Sequence, residues 1–139
     1  MRSLLWARKG VSFSARNTST GRLLAERVGI AATRATRAIG LLLHKELPEG
    51  EGLWIVPSRG VHTWGMRFAI DVIALDEGGR VVDVAENLKP WRMRLPRPGC
   101  VGVLELPAGT IALSGTRLGD AIVFEIVRDD SYVTDHCAA

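Results

Sequence analysis

The chain has 139 residues, 47% of them apolar, and a formal net charge of +3. This length suits one domain able to bury a core without disulfide or metal staples, and the composition excludes a disordered chain. Charge is uneven: residues 1–46 carry nine Lys or Arg against Glu26 and Glu46, while the rest carries nine basic and thirteen acidic side chains. The basic residues are scattered and lack interleaved aromatics, so a basic face packed beside an acidic one is expected, with no nucleic-acid partner.

Cys100 and Cys137 lack the spacing of a zinc site. Two cysteines in a chain able to build a core need no disulfide, which fits a reducing compartment. The apolar run from Ser3 to Ala7 is stopped by Arg8 and Lys9 and is too short for a secretory h-region. No run is long enough to span a bilayer. The expected location is cytoplasmic, with no membrane span, metal or cofactor.

Along the chain, residues 1–10 read as an N-terminal extension, 11–127 as a single mainly β domain, and 128–139 as a mobile C-terminal tail. Val11, Phe13 and Ala15 alternate with polar residues in the period of a half-buried strand. Turn residues Asn17–Gly21 lead into a second strand, Arg22–Val28, making a hairpin. After a Thr33 N-cap, Ala35, Ala38, Ile39, Leu42 and Leu43 form the apolar stripe of an amphipathic helix over about 33–45. Leu53–Val56 is a short buried strand stopped by Pro57. His62–Leu75 reads as one long strand, bent at Gly65. Asp76–Gly79 is a hairpin turn and Arg80–Glu86 the return strand. Residues 87–99, with Pro90, Pro96 and Pro98, form a long surface loop. Val101–Leu106 is a further strand, followed by a short helical turn near 108–114. Gly119–Asp120 turns into the last strand, Ala121–Val127. The predicted fold is a compact β-barrel or sandwich with one main helix.

Two stretches mix polar and aromatic groups. In the first, strict alternation puts His62, Trp64, Met66, Phe68 and Ile70 on one face, and Thr63, Arg67, Ala69 and Asp71 on the other. A buried Asp71 needs donors, either Arg67 or loop backbone, and bracing a loop is the plain structural explanation. The second, Glu86–Arg94, holds Trp91 directly after Pro90, beside Arg92 and Arg94. Trp and Arg dominate binding hot spots, although Trp91 folded over the core is an equal alternative. Glu105, alternating within Val103–Leu106, is expected to be solvated. The glycines at 109, 115 and 119 are turn glycines without a phosphate-binding context.

Several motifs occur in order: Arg16-Asn17-Thr18, the helix ending Gly40-Leu41-Leu42, Gly50–Ile55, Val61–Phe68 with Ile70-Asp71-Val72, Glu86–Arg92, Leu104–Thr110 and Leu118-Gly119-Asp120. Together they resemble domain-of-unknown-function family 192, in the branch with a His-Thr-aromatic-Gly-Met-Arg segment, over roughly Val11 to Val127. The resemblance implies a mainly β fold with a helix at one side and no established activity. Many relatives look exported, a feature this chain's amino terminus does not share. Others stand among pilus or secretion gene sets, which links the branch to envelope or pilus assembly. Ser58 stands where the branch often has cysteine, and Ala69 where it usually has proline; both departures weaken an argument for shared catalysis.

The leading expectation is a non-enzymatic ligand- or partner-binding accessory module. Its groove would be lined by His62, Trp64, Arg67, Asp71, Glu86, Trp91 and Arg94. One alternative is a hydrolase using His62 as base with Asp71 or Glu86 as partner; another makes the polar cluster purely structural.

Overall fold

The computed structural model describes residues 11–32, 41, 45–95 and 97–128. They form nine strands: β1 (Val11–Asn17), β2 (Arg22–Ala31), β3 (Glu51–Ile55), β4 (Val61–His62), β5 (Ile70–Leu75), β6 (Val81–Leu88), β7 (Met93–Arg94), β8 (Gly102–Pro107) and β9 (Ile122–Arg128). A single short α-helix, α1 (Thr110–Ser114), is present among these residues. Seven strands make one sheet in the order β6-β5-β8-β3-β2-β1-β9, while β4 and β7 pair separately. All neighbours are antiparallel except β2 and β3.

The fold is mainly β, as the strand periods predict. The hairpin over Asn17–Gly21, the Asp76–Gly79 turn and the short helix after Pro107 all form where expected. Most of the amphipathic helix predicted over 33–45 lies outside the described residues, as do the N-terminal extension and nearly all of the C-terminal tail. Leu41 is described, and it is buried.

Edge strands β6 and β9 approach at one end through a single antiparallel bridge, Arg80–Ala121. The Val81 and Gly119–Asp120 backbones hydrogen-bond there, and Ile122 N–H donates to the Gly79 carbonyl. A bridge is not a ladder. The sheet does not close into a barrel, and the sandwich-like form of the prediction fits.

The central strands β5 and β8 are buried on both faces and mostly apolar, as strands covered on two sides are. Ile70, Val72 and Ala74 of β5 join Leu53, Ile55, Val103, Leu41, Leu47, Met66 and Cys100 in one cluster. Ile73 and Leu75 join Leu104, Leu106, Leu24, Val28, Ile111 and Ile122 in the other. Gly102 makes room for the Trp54 indole, because a Cβ there would stand 2.4 Å from it.

Two sequence expectations are corrected. The His62–Leu75 run is not one strand: it breaks into β4 and β5, with Gly65 at φ 81 between them. Alternation holds through Trp64, with Thr63 buried and His62 and Trp64 exposed, but a left-handed residue then ends the pleat, so Met66 and Ile70 are buried and Arg67 is exposed, against the predicted faces. Glu105 is not solvated either. It lies between Leu53 of β3 and Val72 of β5 and is 3% exposed.

Candidate functional site

The two polar-aromatic stretches meet through their backbones. Val61 pairs with Arg94, and His62 with Met93. The clasp is Thr63, whose side chain is fully buried. Its N–H donates to the Arg92 carbonyl at 2.8 Å, and its own carbonyl accepts from Trp91 N–H at 3.0 Å and Met66 N–H at 3.1 Å. Its hydroxyl donates to the Lys89 carbonyl at 2.5 Å and accepts from Arg92 N–H at 2.9 Å. One small side chain therefore satisfies loop groups that no ladder would reach.

This clasp holds Trp91 at φ 63, a left-handed conformation unusual for a bulky residue. The Trp91 side chain projects outward, 68% exposed, and Trp64 is 48% exposed. The His62 and Trp64 rings lie 5.0 Å apart between centroids. Met93 and Leu95 are also exposed on the same ribbon. Strained backbone carrying exposed aromatics marks functional surfaces more often than packing surfaces. Thr63→Val keeps the side-chain shape but removes every hydroxyl bond. It is expected to lower stability by about 1–3 kcal/mol and to make the Trp91 loop protease-sensitive, read by denaturant titration and limited proteolysis.

The other predicted site residues are placed differently. Asp71 is fully buried and does not bond to Arg67. Its Oδ1 accepts from Asn87 N–H at 2.8 Å, and its Oδ2 accepts from Gly109 N–H at 3.1 Å and Ile111 N–H at 2.8 Å. It ties the end of β6, where Asn87 sits at φ 51, to the start of α1. Arg67 and Glu86 are exposed.

Arg94 donates through Nε and Nη2 to both oxygens of Asp83, each at 2.8 Å, and Nη2 also reaches the Val84 carbonyl at 3.3 Å. Arg97 approaches the same carboxylate at 3.6 Å. The Arg94 hydrogen bonds hold the Asp83 carboxyl below its ordinary range, against a smaller opposing effect of burial. The fork of Arg94 thus fastens β7 to β6. Two open depressions, one between β2 and α1 and one beside the Asp76 turn, are lined by neither His62 nor Trp91.

Thr63 and Asp83 were missed as anchors. Asp83 had a readable signal: it alternates with Val81 and Ala85, so a two-residue period places it inward. Thr63 had none, because its partners lie 26 and 29 residues away.

A mainly β domain carrying a clasped ribbon with two exposed tryptophans is the class that fold and geometry define. The family model DUF192, described as an uncharacterized ACR, matches residues 15–124, and the chain belongs to that family. A UPF0127 protein of Thermococcus sibiricus is 32% identical over 122 residues, covering 84% of this chain and 78% of the relative. The UPF0127 protein PH1112 of Pyrococcus horikoshii is 36% identical over 100 residues, covering 68% and 84%. Among solved structures, a protein of unknown function from Novosphingobium aromaticivorans superposes with a TM-score of 0.69 at 27% identity, over 81% of this chain and 83% of that one. A Sinorhizobium meliloti protein shares the fold at a TM-score of 0.75 and 20% identity, over 88% and 98%. Among the described residues no helix is long and apolar enough to cross a membrane.

Proposed function

We propose that this DUF192 domain is a partner-binding module whose contact surface is the β4–β7 ribbon. The observation that carries this reading is the pair of solvent-facing tryptophans, Trp64 and Trp91, on backbone immobilised by buried Thr63. A bulky aromatic held outward on pre-ordered backbone loses little entropy on binding, which is how a few residues come to dominate an interface. Met93 and the exposed Arg67 and Arg92 add residue types enriched at such contacts. Asp71 and Arg94 serve this surface from beneath, fixing the frame that carries it. An envelope- or pilus-assembly protein, the setting the family resemblance implies, is one partner the test below would read.

The hydrolase alternative needs His62 hydrogen-bonded to a carboxylate. The His62 ring lies against Trp64 instead, both Asp71 oxygens accept from backbone amides, and the other carboxylate considered, Glu86, is exposed and shares no hydrogen bond with His62. The binding reading asks nothing of that pair.

The test is quantitative capture from lysate of a source organism, comparing wild type with the Trp64→Ala/Trp91→Ala double variant. Exposed side chains away from packing change stability by within about 0.5 kcal/mol each, so the double variant should stay folded. Species retained by wild type and depleted at least tenfold by the variant are expected. Identical captured sets would refute the ribbon as the contact surface.

A further inference from the structure

Among the described residues, the last strand, β9, is an open edge of the sheet. It pairs with β1 on one side only, in an uninterrupted register from Asn17–Ile122 to Val11–Arg128. Thr18 N–H donates to the Ala121 carbonyl, so odd-numbered β9 residues exchange hydrogen bonds with β1. Even-numbered ones point their backbone groups away, and Ile122 N–H does reach out to Gly79. Beyond that bond, the outward N–H and C=O groups of Phe124 and Ile126 meet no partner among the described residues.

The side chains along this edge do not guard it. Exposed edge strands are normally protected by lysine, proline or a bulge, because an unpaired row of amides and carbonyls is a template for another strand. Here Val123, Ile126 and Val127 are 41%, 66% and 42% exposed. Between Ile122 and Val127 the sole charge is Glu125, and Arg16 of β1 stands 3.8 Å from it. The opposite edge is different. On β6, Val81 is bonded to the Gly119–Asp120 turn, and Arg94 covers the Val84 carbonyl.

We infer that β9 pairs antiparallel with β9 of a second copy of this chain, forming a two-fold homodimer with a continuous sheet. A second copy fits because an antiparallel edge is complementary to itself, and a β9–β9 pairing about a two-fold axis uses the same edge of both copies and so closes at two. Charge selects the register. A dyad at Glu125 would bring two carboxylates directly opposite, which is destabilising. A dyad at Ile126 places Glu125 opposite Val127 of the copy. It also stacks the two exposed Ile126 side chains and pairs the free backbone groups of Phe124 and Ile126.

The test is the solution mass of the full chain, measured by light scattering and sedimentation equilibrium across a hundredfold range of concentration. Wild type is expected at about twice the chain mass of 15.1 kDa. Ile126→Pro removes only an outward N–H and leaves the β1 ladder intact, as proline on an edge strand permits. It should raise the dimer dissociation constant at least a hundredfold. Ile126→Lys adds the usual edge guard, should do the same, and decides the matter if the proline variant fails to fold. A wild-type monomer throughout, including one whose own terminal segments occupy the edge, overturns the inference. So does a dimer that survives in both folded variants.

Discussion

Glu105→Gln is expected to stabilise the protein above neutral pH and to flatten its pH dependence. Glu105 sits at the centre of the sheet, flanked by Leu53 and Val72, and its Oε2 has no hydrogen-bond partner. Burial alone raises its pKa from 4.5 to about 8, so the folded protein holds this carboxyl protonated at neutral pH. In the unfolded chain the group ionises near 4.5. Between these two values the folded state binds the extra proton, so stability falls as pH rises. The contribution is fully present below about 4.5, declines through the interval and is lost once pH passes about 8. A shift of that size corresponds to roughly 5 kcal/mol across the interval, at about 1.4 kcal/mol per pH unit. Glutamine keeps the shape and cannot ionise. Urea titrations of wild type and variant at pH 5, 6.5 and 8.5 should diverge steadily, with the variant several kcal/mol ahead at the alkaline end. Parallel profiles would show that Glu105 has an ordinary carboxylate environment.

Asp71→Ala is expected to be among the most damaging single substitutions in the chain. Three backbone amides, of Asn87, Gly109 and Ile111, lose their acceptor at once in a place water does not reach. Each orphaned donor costs about 1–3 kcal/mol, and the three together should remove about 3–6 kcal/mol after partial relaxation. The Asn87 bend and the Gly109 turn should gain fast hydrogen exchange before the rest of the sheet does. A loss below about 1 kcal/mol in denaturant titration would mean that these amides find other partners and that Asp71 is not the brace its geometry describes. Alanine at the exposed neighbour Arg67 serves as the control and should change stability little.

Much of the framework was legible because it is local. The Asn17–Gly21 and Asp76–Gly79 turns carry residues that fold the chain back by their own chemistry: Asp76 Oδ1 accepts from the N–H groups of Gly78 and Arg80, both at 2.9 Å. Likewise Asn17 Oδ1 accepts from Ser19 and Thr20 N–H at 2.9 and 3.1 Å. The same Asn17 also donates to Thr116 and Asp120, some hundred residues away, and no local rule reveals that. The meeting of the His62 and Trp91 stretches was anticipated from their composition alone. Its form was not, because the clasp is a buried threonine whose partners lie 26 and 29 residues away.

The misreadings share one cause. Period-two alternation assumes an unbroken pleat with one wet face. Gly65 breaks the pleat after β4, so the faces assigned from His62 do not carry through to Ile70 and beyond. Glu105 alternates like a surface residue, yet β8 lies between β3 and β5 with both its faces covered, so even a carboxyl is buried. Arg94 reads as a free guanidinium until folding puts Asp83 beside it.

By itself the amino-acid order determined the mainly β class, the family, the hairpin turns and the two stretches worth watching. These rest on residue chemistry and on periods only a few residues long. Tertiary structure alone decided which partners the buried polar side chains Thr63, Asp71 and Asp83 meet, and that Trp91 faces solvent rather than the core. The reason is physical. A buried polar atom must find a partner wherever the fold brings one, and those partners lie 11 to 40 residues away along the chain.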